Sequence, residues 1–160
     1  MTDQTEIVQK FWKALKSDRT FMLGLAGASD THARPMTANL DGDDRSAIWI
    51  FTAKDTEIAK SAGSGHQATG FFASKDHELF ATVHGMLYPG NDRALIDRLW
   101  NPFIAAWYEG KDDPKLYLMR FEPETAEIWL NDSSLLAGIK ILLGRDPKKE
   151  YQDKVAQVVL

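Results

Sequence analysis

The stretch RSAIWIFTAKDTEIAK at residues 45–60 changes from a strand pattern to a helix pattern near its middle. Its first part, residues 46–52, is rich in Ile, Trp and Phe, which suit a pleated and half-buried strand. Asp55 and Thr56 are residue types that cap helices, and residues 58–62 can follow them as a short helix. The stretch therefore predicts a strand that passes through a hydroxyl-bearing turn into a helix.

The junction between this strand and this helix could also bind an anion. The first N–H groups of a helix have no partner inside the helix, and the helix dipole favours negative charge there. Thr52 and Thr56 could donate hydroxyl groups to such an anion, and Lys54 or Lys60 could add a positive charge. An ordinary capped helix explains the same residues, and no phosphate-loop motif supports the anion site. On these residues alone, the capped helix is the stronger interpretation.

The composition is that of a soluble globular protein. The chain has 160 residues, of which 44% are hydrophobic and 26% are charged, and its formal net charge is -4. This length suffices for a substantial core, so we expect a single domain over residues 1–160. Since the sequence contains no cysteine, disulfides and thiolate chemistry are excluded.

The charge and hydropathy patterns argue against three classes of protein. The sequence shows no secretory signal pattern, and no apolar run approaches the ~20 residues of a membrane span. A mildly acidic chain has no long-range attraction to nucleic acid. We therefore expect a cytoplasmic protein that acts on neither membranes nor nucleic acids.

Hydrophobic spacing predicts the elements that precede residues 45–60. Ile7, Phe11 and Leu15 recur at helical intervals, so we expect a helix over residues 3–17. Alternating patterns bounded by turn residues predict three consecutive strands in an antiparallel meander, at residues 20–26, 33–40 and 46–52. Pro35 lacks the N–H that a sheet ladder needs, which favours an edge position for the second strand or a local break in it.

Further strands and two helices are predicted after the short helix. The strands are expected at residues 67–74, 78–87, 115–121 and 125–130, the last two as a hairpin around residues 122–124. A long helix from residue 92 to about residue 108 carries a wide apolar stripe, which is typical of a core or a subunit interface. Asn91 would cap this helix, and Pro102 should kink or split it. A last helix is expected at residues 135–143, followed at residues 145–160 by a tail that is mobile or packs on a partner.

Seven short strands with helices at the margins indicate a mainly β protein. A small antiparallel barrel fits this pattern, because closing a sheet removes its exposed edges. The histidines lack the helical spacing of metal ligands, so the sequence predicts no metal site.

Several short motifs occur along the chain in a recognisable order. They are Phe11-Trp12-Lys13, Arg34-Pro35-Met36, Trp49-Ile50-Phe51-Thr52, a strand ending at Gly85, Leu99-Trp100-Asn101-Pro102, Trp107, EGKDDP at residues 109–114, and Glu127-Ile128-Trp129. This ordered set runs from about residue 6 to residue 144. It resembles the bacterial general stress protein group of the pyridoxamine 5'-phosphate oxidase-like flavin split barrels.

The resemblance implies an antiparallel split β-barrel that pairs into a homodimer. It further implies flavin mononucleotide (FMN), or alternatively flavin adenine dinucleotide (FAD), in a cleft between the subunits. By position, the residues expected along the isoalloxazine ring and the ribityl chain are Arg34, Pro35, Met36, Thr37, Phe51 and Thr52. Thr56 would hold the phosphate at the start of the short helix, and Trp129 would reach the flavin from the other subunit.

One position departs from the family pattern. The family usually has Lys or Arg two residues after the hydroxyl that matches Thr56, and Ile58 stands there, with Glu57 between them. A hydrogen bond to a charged group contributes about 1.5–3 kcal/mol, so its loss would weaken phosphate binding by that order. Lys54 or Lys60 could replace the missing cation.

The resemblance implies a stress-related flavoprotein, which would be an FMN-dependent oxidoreductase acting on a small molecule. The flavin would supply the redox chemistry, and the sequence identifies no catalytic residue. A specific pyridoxine phosphate oxidase is less expected, because no second basic cluster is present for the phosphate of that substrate. Two alternatives stay open. One is a non-catalytic flavin-binding or sensor dimer, and the other is a split barrel whose flavin site has decayed and binds another ligand such as haem.

Overall fold

One antiparallel sheet of seven strands dominates the computed structural model, which describes residues 4–28, 32–131 and 155–160. The strands are β1 (Thr20–Leu25), β2 (Arg34–Thr37), β3 (Ile48–Ala53), β4 (His66–Ala73), β5 (Leu79–Pro89), β6 (Leu116–Leu130) and β7 (Val155–Val159). Their order is β2-β1-β4-β5-β6-β3, and β7 pairs with β6. A single bridge between Asn39 and Trp49 joins the two ends of this path. The sheet therefore forms a small barrel that is split beside that bridge, as the mainly β pattern predicted.

Four helices accompany the sheet within the described residues, namely α1 (Gln4–Asp18), α2 (Glu57–Ala62), α3 (Arg93–Leu99) and α4 (Pro102–Ala105). The apolar face predicted for α1 is buried, and Phe11 on that face contacts Phe72 of β4 edge-on, with ring centroids 6.3 Å apart. Inside the barrel, Leu23, Leu87 and Phe121 are fully buried in the same core. The sequence alternation of apolar and polar residues thus places one face of each strand in the core.

The predicted meander of the first three strands is wrong in its last step. β1 pairs with β2, and Pro35 lies on the terminal strand of the sheet order, as predicted. β3 instead pairs with β6, where Ile48–Ala53 face residues 116–121 over six residue pairs. β2 spans only four residues, one of which is a proline, so it offers β3 a short and interrupted ladder. The gap between β2 and β3 is the opening of the barrel.

The predicted hairpin around residues 122–124 is also wrong, because β6 runs unbroken through these residues. The β5–β6 register pairs His84 with Thr125 and Gly85 with Pro123, so Glu124 is the extra residue of a β-bulge. A side chain on Gly85 would place its Cβ 2.1 Å from the Glu122 carbonyl oxygen. The glycine therefore permits the close approach of the two backbones, and β6 bends where the sequence suggested a reversal.

The helix expected after residue 91 is split at Pro102, as predicted, because α3 ends at Leu99 and α4 begins at the proline. The predicted cap is wrong by one residue. The side chain of Asp92 accepts the Ala94 N–H at 2.9 Å, whereas the Asn91 side chain accepts the Leu118 N–H at 2.9 Å. Asn91 therefore fastens the loop before α3 to β6.

The end of the chain completes the sheet. β7 pairs antiparallel with Thr125 to Trp129 of the same chain, and Val158 is buried. This part of the predicted tail thus folds back on its own sheet, while the helix predicted at residues 135–143 lies outside the described residues. No helix in the described ranges is long and apolar enough to cross a membrane. A cytoplasmic location stays a prediction.

Candidate functional site

A cleft of about 410 Å³ lies where β2 and β3 separate. Ligand sites in proteins commonly enclose about 300–1,000 Å³, so the cleft has the size of a cofactor site. It brings together five of the residues that the resemblance implied, which are Pro35, Met36, Thr37, Phe51 and Thr52. The residues between the end of α3 and Tyr108 form its other side, including Asn101, Phe103 and Trp107. We call this site the cleft.

The apolar wall of the cleft comes from the two strands that border the split. Pro35 and Met36 lie on β2, and Met36 also packs against the main core. Phe51 lies on β3, where its ring meets Trp100 edge-on with centroids 6.3 Å apart. Because Trp100 holds this ring in place, the wall offers a fixed apolar surface to a flat ligand.

Two threonine hydroxyls meet where β3 leads into α2. The Oγ1 atoms of Thr52 and Thr56 are 3.3 Å apart, and Thr52 is buried and lines the cleft. The Thr56 hydroxyl donates to the Ala53 carbonyl at 2.8 Å and accepts the Ala59 N–H at 3.4 Å. Thr56 is therefore the helix cap that the sequence predicted, and its hydroxyl is largely occupied by that role. The anion-binding role of this junction stays a prediction.

The basic residues predicted for the site do not line the cleft. Lys54 and Lys60 are both exposed, and Lys60 lies in the last turn of α2, away from its N-terminus. The Arg34 guanidinium donates to the His32 carbonyl at 3.2 Å. Arg19 lines the cleft instead. Nothing in the local sequence singles it out, because its position there depends on how β1 pairs with β2.

Ile58 has a packing role. It is only 2% exposed and belongs to the main core, so its side chain turns away from the solvent at the start of α2. Ile58, which replaces the basic residue of the family pattern, therefore anchors α2 to the barrel. Ile58 supplies no cation at this position.

Trp129 lies in a second cavity of about 470 Å³, which we call the outer groove. Met22, Phe71 and Phe80 line this groove with it, on the side of the sheet opposite to the core. Trp129 pairs with Phe80 near the end of β6, whereas Tyr117, the partner of Thr52, lies near its start, and Trp129 does not line the cleft. Within one chain, Trp129 is thus separated from the other predicted contacts.

The wide apolar stripe predicted after residue 91 divides into buried and exposed parts. Leu95, Ile96 and Ile104 are buried, whereas Phe103 and Trp107 are 80% and 84% exposed. These two aromatic rings stand at the cleft, where the sequence predicted a core or a subunit interface. Their exposure leaves apolar surface available to a ligand or a partner.

The loop at residues 109–114 positions Tyr108 beside the cleft. The Asp113 carboxylate accepts the N–H groups of Glu109 and Lys115, each at 2.9 Å. These two backbone donors, that of Glu109 first, lower the pKa of Asp113. Burial, and then the charge of Asp113, raises the pKa of Tyr108, so its phenol stays protonated at neutral pH. The cleft thus contains a neutral hydroxyl donor that sequence reasoning missed.

Asn39 and Asn101 supply further polar groups at the cleft. The Asn39 amide donates to the Trp49 carbonyl at 3.1 Å and to the Thr37 carbonyl at 3.3 Å, across the closing bridge. Asn101 caps α4 by accepting the Phe103 N–H at 2.9 Å. Both residues are therefore fixed by the backbone. The described residues contain no group of three or more His, Asp or Glu side chains that could hold a metal ion.

Comparison with known proteins places the chain in a defined group. The family model described as "Pyridoxamine 5'-phosphate oxidase like" matches residues 6–152. General stress protein 26 of Bacillus subtilis (strain 168) is 28% identical over 125 residues, which are 76% of this chain and 87% of that protein.

Two solved structures are more similar in sequence. A general stress family protein from Xanthomonas campestris pv. campestris is 58% identical, with a TM-score of 0.78 over 88% of this chain and 97% of that one. The general stress FMN/FAD binding protein of Xanthomonas citri is 56% identical, with a TM-score of 0.78 over 86% of this chain and 97% of that one.

Proposed function

Because the chain belongs to the pyridoxamine 5'-phosphate oxidase-like family, within its general stress protein group, we propose that it binds a flavin in the cleft. The observation that carries this proposal is the convergence of Pro35, Met36, Thr37, Phe51 and Thr52 on one cavity. The relative from Xanthomonas citri is described as an FMN/FAD binding protein, which supports the same ligand class. FMN is the form that we propose, and FAD would need room for its adenylate outside the cleft.

The residues of the cleft fit the parts of FMN. Pro35, Met36 and Phe51 give apolar surface to the isoalloxazine ring, and the hydroxyls of Thr37 and Thr52 suit the ribityl chain. When bound, the flavin would supply hydride or electron transfer. The chain would hold the ring, exclude water from it and offer the neutral hydroxyl of Tyr108 as a hydrogen-bond donor. This arrangement supports an oxidoreductase acting on a small molecule.

We also propose that the working form is a homodimer with the flavin between the subunits. The support is the separation of Trp129 from the cleft, since a single chain presents the two on different surfaces. Exposed Met22 and Phe71 make the outer groove a candidate contact surface, because monomeric proteins rarely leave large apolar patches uncovered. In a dimer formed through this face, the cleft of the partner subunit could lie beside Trp129 of this chain.

A non-catalytic flavin-binding dimer is the second candidate. Tyr108 and Arg19 are the titratable side chains among the described residues that line the cleft, and burial raises the pKa of Tyr108. Among the described residues, the cleft therefore contains no carboxylate or imidazole that could act as a base. Under this reading, reduced nicotinamide cofactors would not turn over the bound flavin. If the protein is an oxidoreductase, reduced nicotinamide cofactors would reduce the bound flavin and reversibly bleach its visible absorbance.

Flavin fluorescence titration of the purified protein tests the binding proposal. We expect quenching by the wild type at micromolar FMN, with one flavin per subunit. Thr52→Val keeps the shape of the side chain and removes its hydroxyl, so we expect about tenfold weaker binding.

Thr69→Val on β4 is the matched control, because its hydroxyl contacts His84 and does not line the cleft. We expect this variant to bind FMN as the wild type does. A wild type that leaves flavin fluorescence unchanged would contradict the proposal and favour the decayed-site alternative. Equal losses in both variants would place the flavin elsewhere.

A further inference from the structure

Arg19 stands out among the arginines of this chain. It is the only charged residue of the described chain that lines the cleft. Its side chain makes no hydrogen bond and no ion pair with any described residue. The other five described arginines each contact a polar partner, namely Arg34 with His32, Arg45 with Gly42, Arg93 with Asp97, Arg98 with Asp41 and Arg120 with Glu122.

The backbone of Arg19 is held in an uncommon conformation. Its φ is 59°, in the left-handed region that glycine adopts without strain and larger residues rarely do. Its N–H donates to the Leu15 carbonyl at 2.9 Å, and its carbonyl accepts the Ala38 N–H at 2.6 Å. Glycine or asparagine would suit this helix end better. Arg19 is exposed, and a positive charge suits the end of α1, but neither fact explains why this side chain lines the cleft without a partner.

The position of Arg19 defines one end of the cleft. The bridge between Asn39 and Trp49 closes the split at one end, and Thr37 is the residue of β2 nearest to that bridge. Arg19 precedes the Thr20–Thr37 pair and thus belongs to the end near Thr37 and Asn39. The hydroxyls of Thr52 and Thr56 belong to the other border of the split, where β3 leads into α2. The cation and the hydroxyl pair therefore come from different borders of the cleft.

We propose that Arg19 is the anion anchor of the cleft and binds the oxygens of a phosphate or carboxylate group. A guanidinium without other partners can bind two such oxygens side by side, which adds both strength and orientation. The anion has two sources under the proposed function: the phosphate of the flavin itself, or an anionic group on a second molecule beside the ring. Only the choice between these sources depends on the proposed function.

Three proteins test the anchor, namely the wild type, Arg19→Gln and Lys16→Gln. Lys16 lies in the last turn of α1, is exposed and does not line the cleft, so it matches the change in charge near the same helix end. The probes are inorganic phosphate, FMN and riboflavin, which lacks the phosphate of FMN. Thermal unfolding without ligand checks that all three proteins fold.

Inorganic phosphate tests the anchor without any flavin. We expect it to raise the Tm of the wild type and of Lys16→Gln, and to leave Arg19→Gln unchanged. Arg19→Lys, which keeps the charge, should recover part of the shift. An Arg19→Gln protein that phosphate stabilises as strongly as the wild type would overturn the proposal.

The flavin titrations then identify the source of the anion. If the anchor holds the flavin phosphate, Arg19→Gln weakens FMN at least about tenfold and riboflavin less than about twofold. If it holds a second anion, Arg19→Gln binds both flavins as tightly as the wild type does, and phosphate also raises the Tm of the FMN-loaded and riboflavin-loaded proteins that retain Arg19. Arg19→Gln could instead lose equal affinity for FMN and riboflavin while phosphate still raises its Tm. That result would give Arg19 a structural role and overturn the anchor. A wild type that responds to phosphate through Arg19 and binds no flavin would refute the proposed function and leave the anchor standing.

Discussion

The cleft and the outer groove are similar in size, about 410 and 470 Å³, and differ in how the sheet produces them. The cleft forms where β2 and β3 stop pairing, so it combines apolar rings with polar side chains such as Asn39 and Thr52. The outer groove forms where one end of each of the neighbouring strands β1, β4, β5 and β6 meets on the sheet, and apolar side chains dominate it. An unpaired border offers directional groups to a small ligand, whereas a paired face offers area to another protein.

β6 connects the two regions, and its bulge should be the most sensitive point of the comparison. Gly85→Ala would drive a Cβ into the Glu122 carbonyl, so we expect about 3 kcal/mol of destabilisation and damage to both regions. Urea unfolding of the purified variant measures this loss. Gly110→Ala is the control, since a Cβ there meets nothing within 4 Å. A Gly85→Ala protein as stable as the wild type would show that the bulge does not depend on the glycine.

The outer groove should govern assembly, and through it the cleft. Phe71→Arg places a charge beside Met22, its cross-strand neighbour, and we expect at least about tenfold weaker dimerisation. If the partner supplies Trp129 to the flavin, FMN affinity should fall with it. Sedimentation and FMN titration on the same samples measure both effects. Gln9→Arg adds the same charge on the exposed side of α1 and should change neither.

A separation of the two effects in Phe71→Arg would be informative. A monomer that binds FMN as tightly as the wild type would break the proposed link between the groove and the cleft. A dimer that forms normally would place the subunit contact on another surface.

Local sequence patterns identified most helices and strands but did not predict which strands pair with each other. Alternation located β1, β4 and β5, and Pro102 correctly marked the break between α3 and α4. Residues 122–124 resemble a turn, but Gly85 on another strand lets β6 continue through them. Likewise β3 pairs with β6, a partner remote in sequence, and periodicity carries no information on such a choice.

The residues of the site divide in the same way, into those set by local interactions and those set by long-range strand pairing. The sequence between β3 and α2 predicted Thr56 as a helix cap, because capping depends only on neighbouring residues. Pro35, Met36, Thr37 and Phe51 came from the resemblance, since only the assembled barrel brings β2 and β3 to one cleft. Arg19 was missed, because its approach to the cleft depends on the β1–β2 register. Tyr108 was missed for a similar reason, because only the folded chain brings it to the cleft with Phe51 and Thr52 of β3.

The exposed aromatic residues allow the cleft to be altered without loss of fold. Trp107 is 84% exposed, so Trp107→Ala should change the free energy of unfolding by less than about 0.5 kcal/mol. If its ring stacks on a bound flavin, the binding free energy should weaken by about 0.5–1.5 kcal/mol, which is roughly a twofold to thirteenfold loss of affinity. Calorimetric titration with FMN measures the change. Val159→Ala, at an equally exposed position on β7, is the control, and an unchanged affinity in Trp107→Ala would remove its ring from the site.

The smallest expected effect concerns the loop that holds Tyr108 at the cleft. The pKa of Asp113 is lowered in the folded state, so this carboxylate stabilises the fold above its unfolded value of about 3.9, and the contribution is lost as the pH falls through the folded pKa. Asp113→Asn should therefore be less stable than the wild type at pH 7, with a difference that narrows toward pH 3. Urea unfolding at the two pH values measures it, beside Asp43→Asn, whose side chain is almost fully exposed. A difference that stays constant with pH would assign the effect to lost hydrogen bonds alone, because an amide replaces only one of the two acceptor oxygens that bind Glu109 and Lys115.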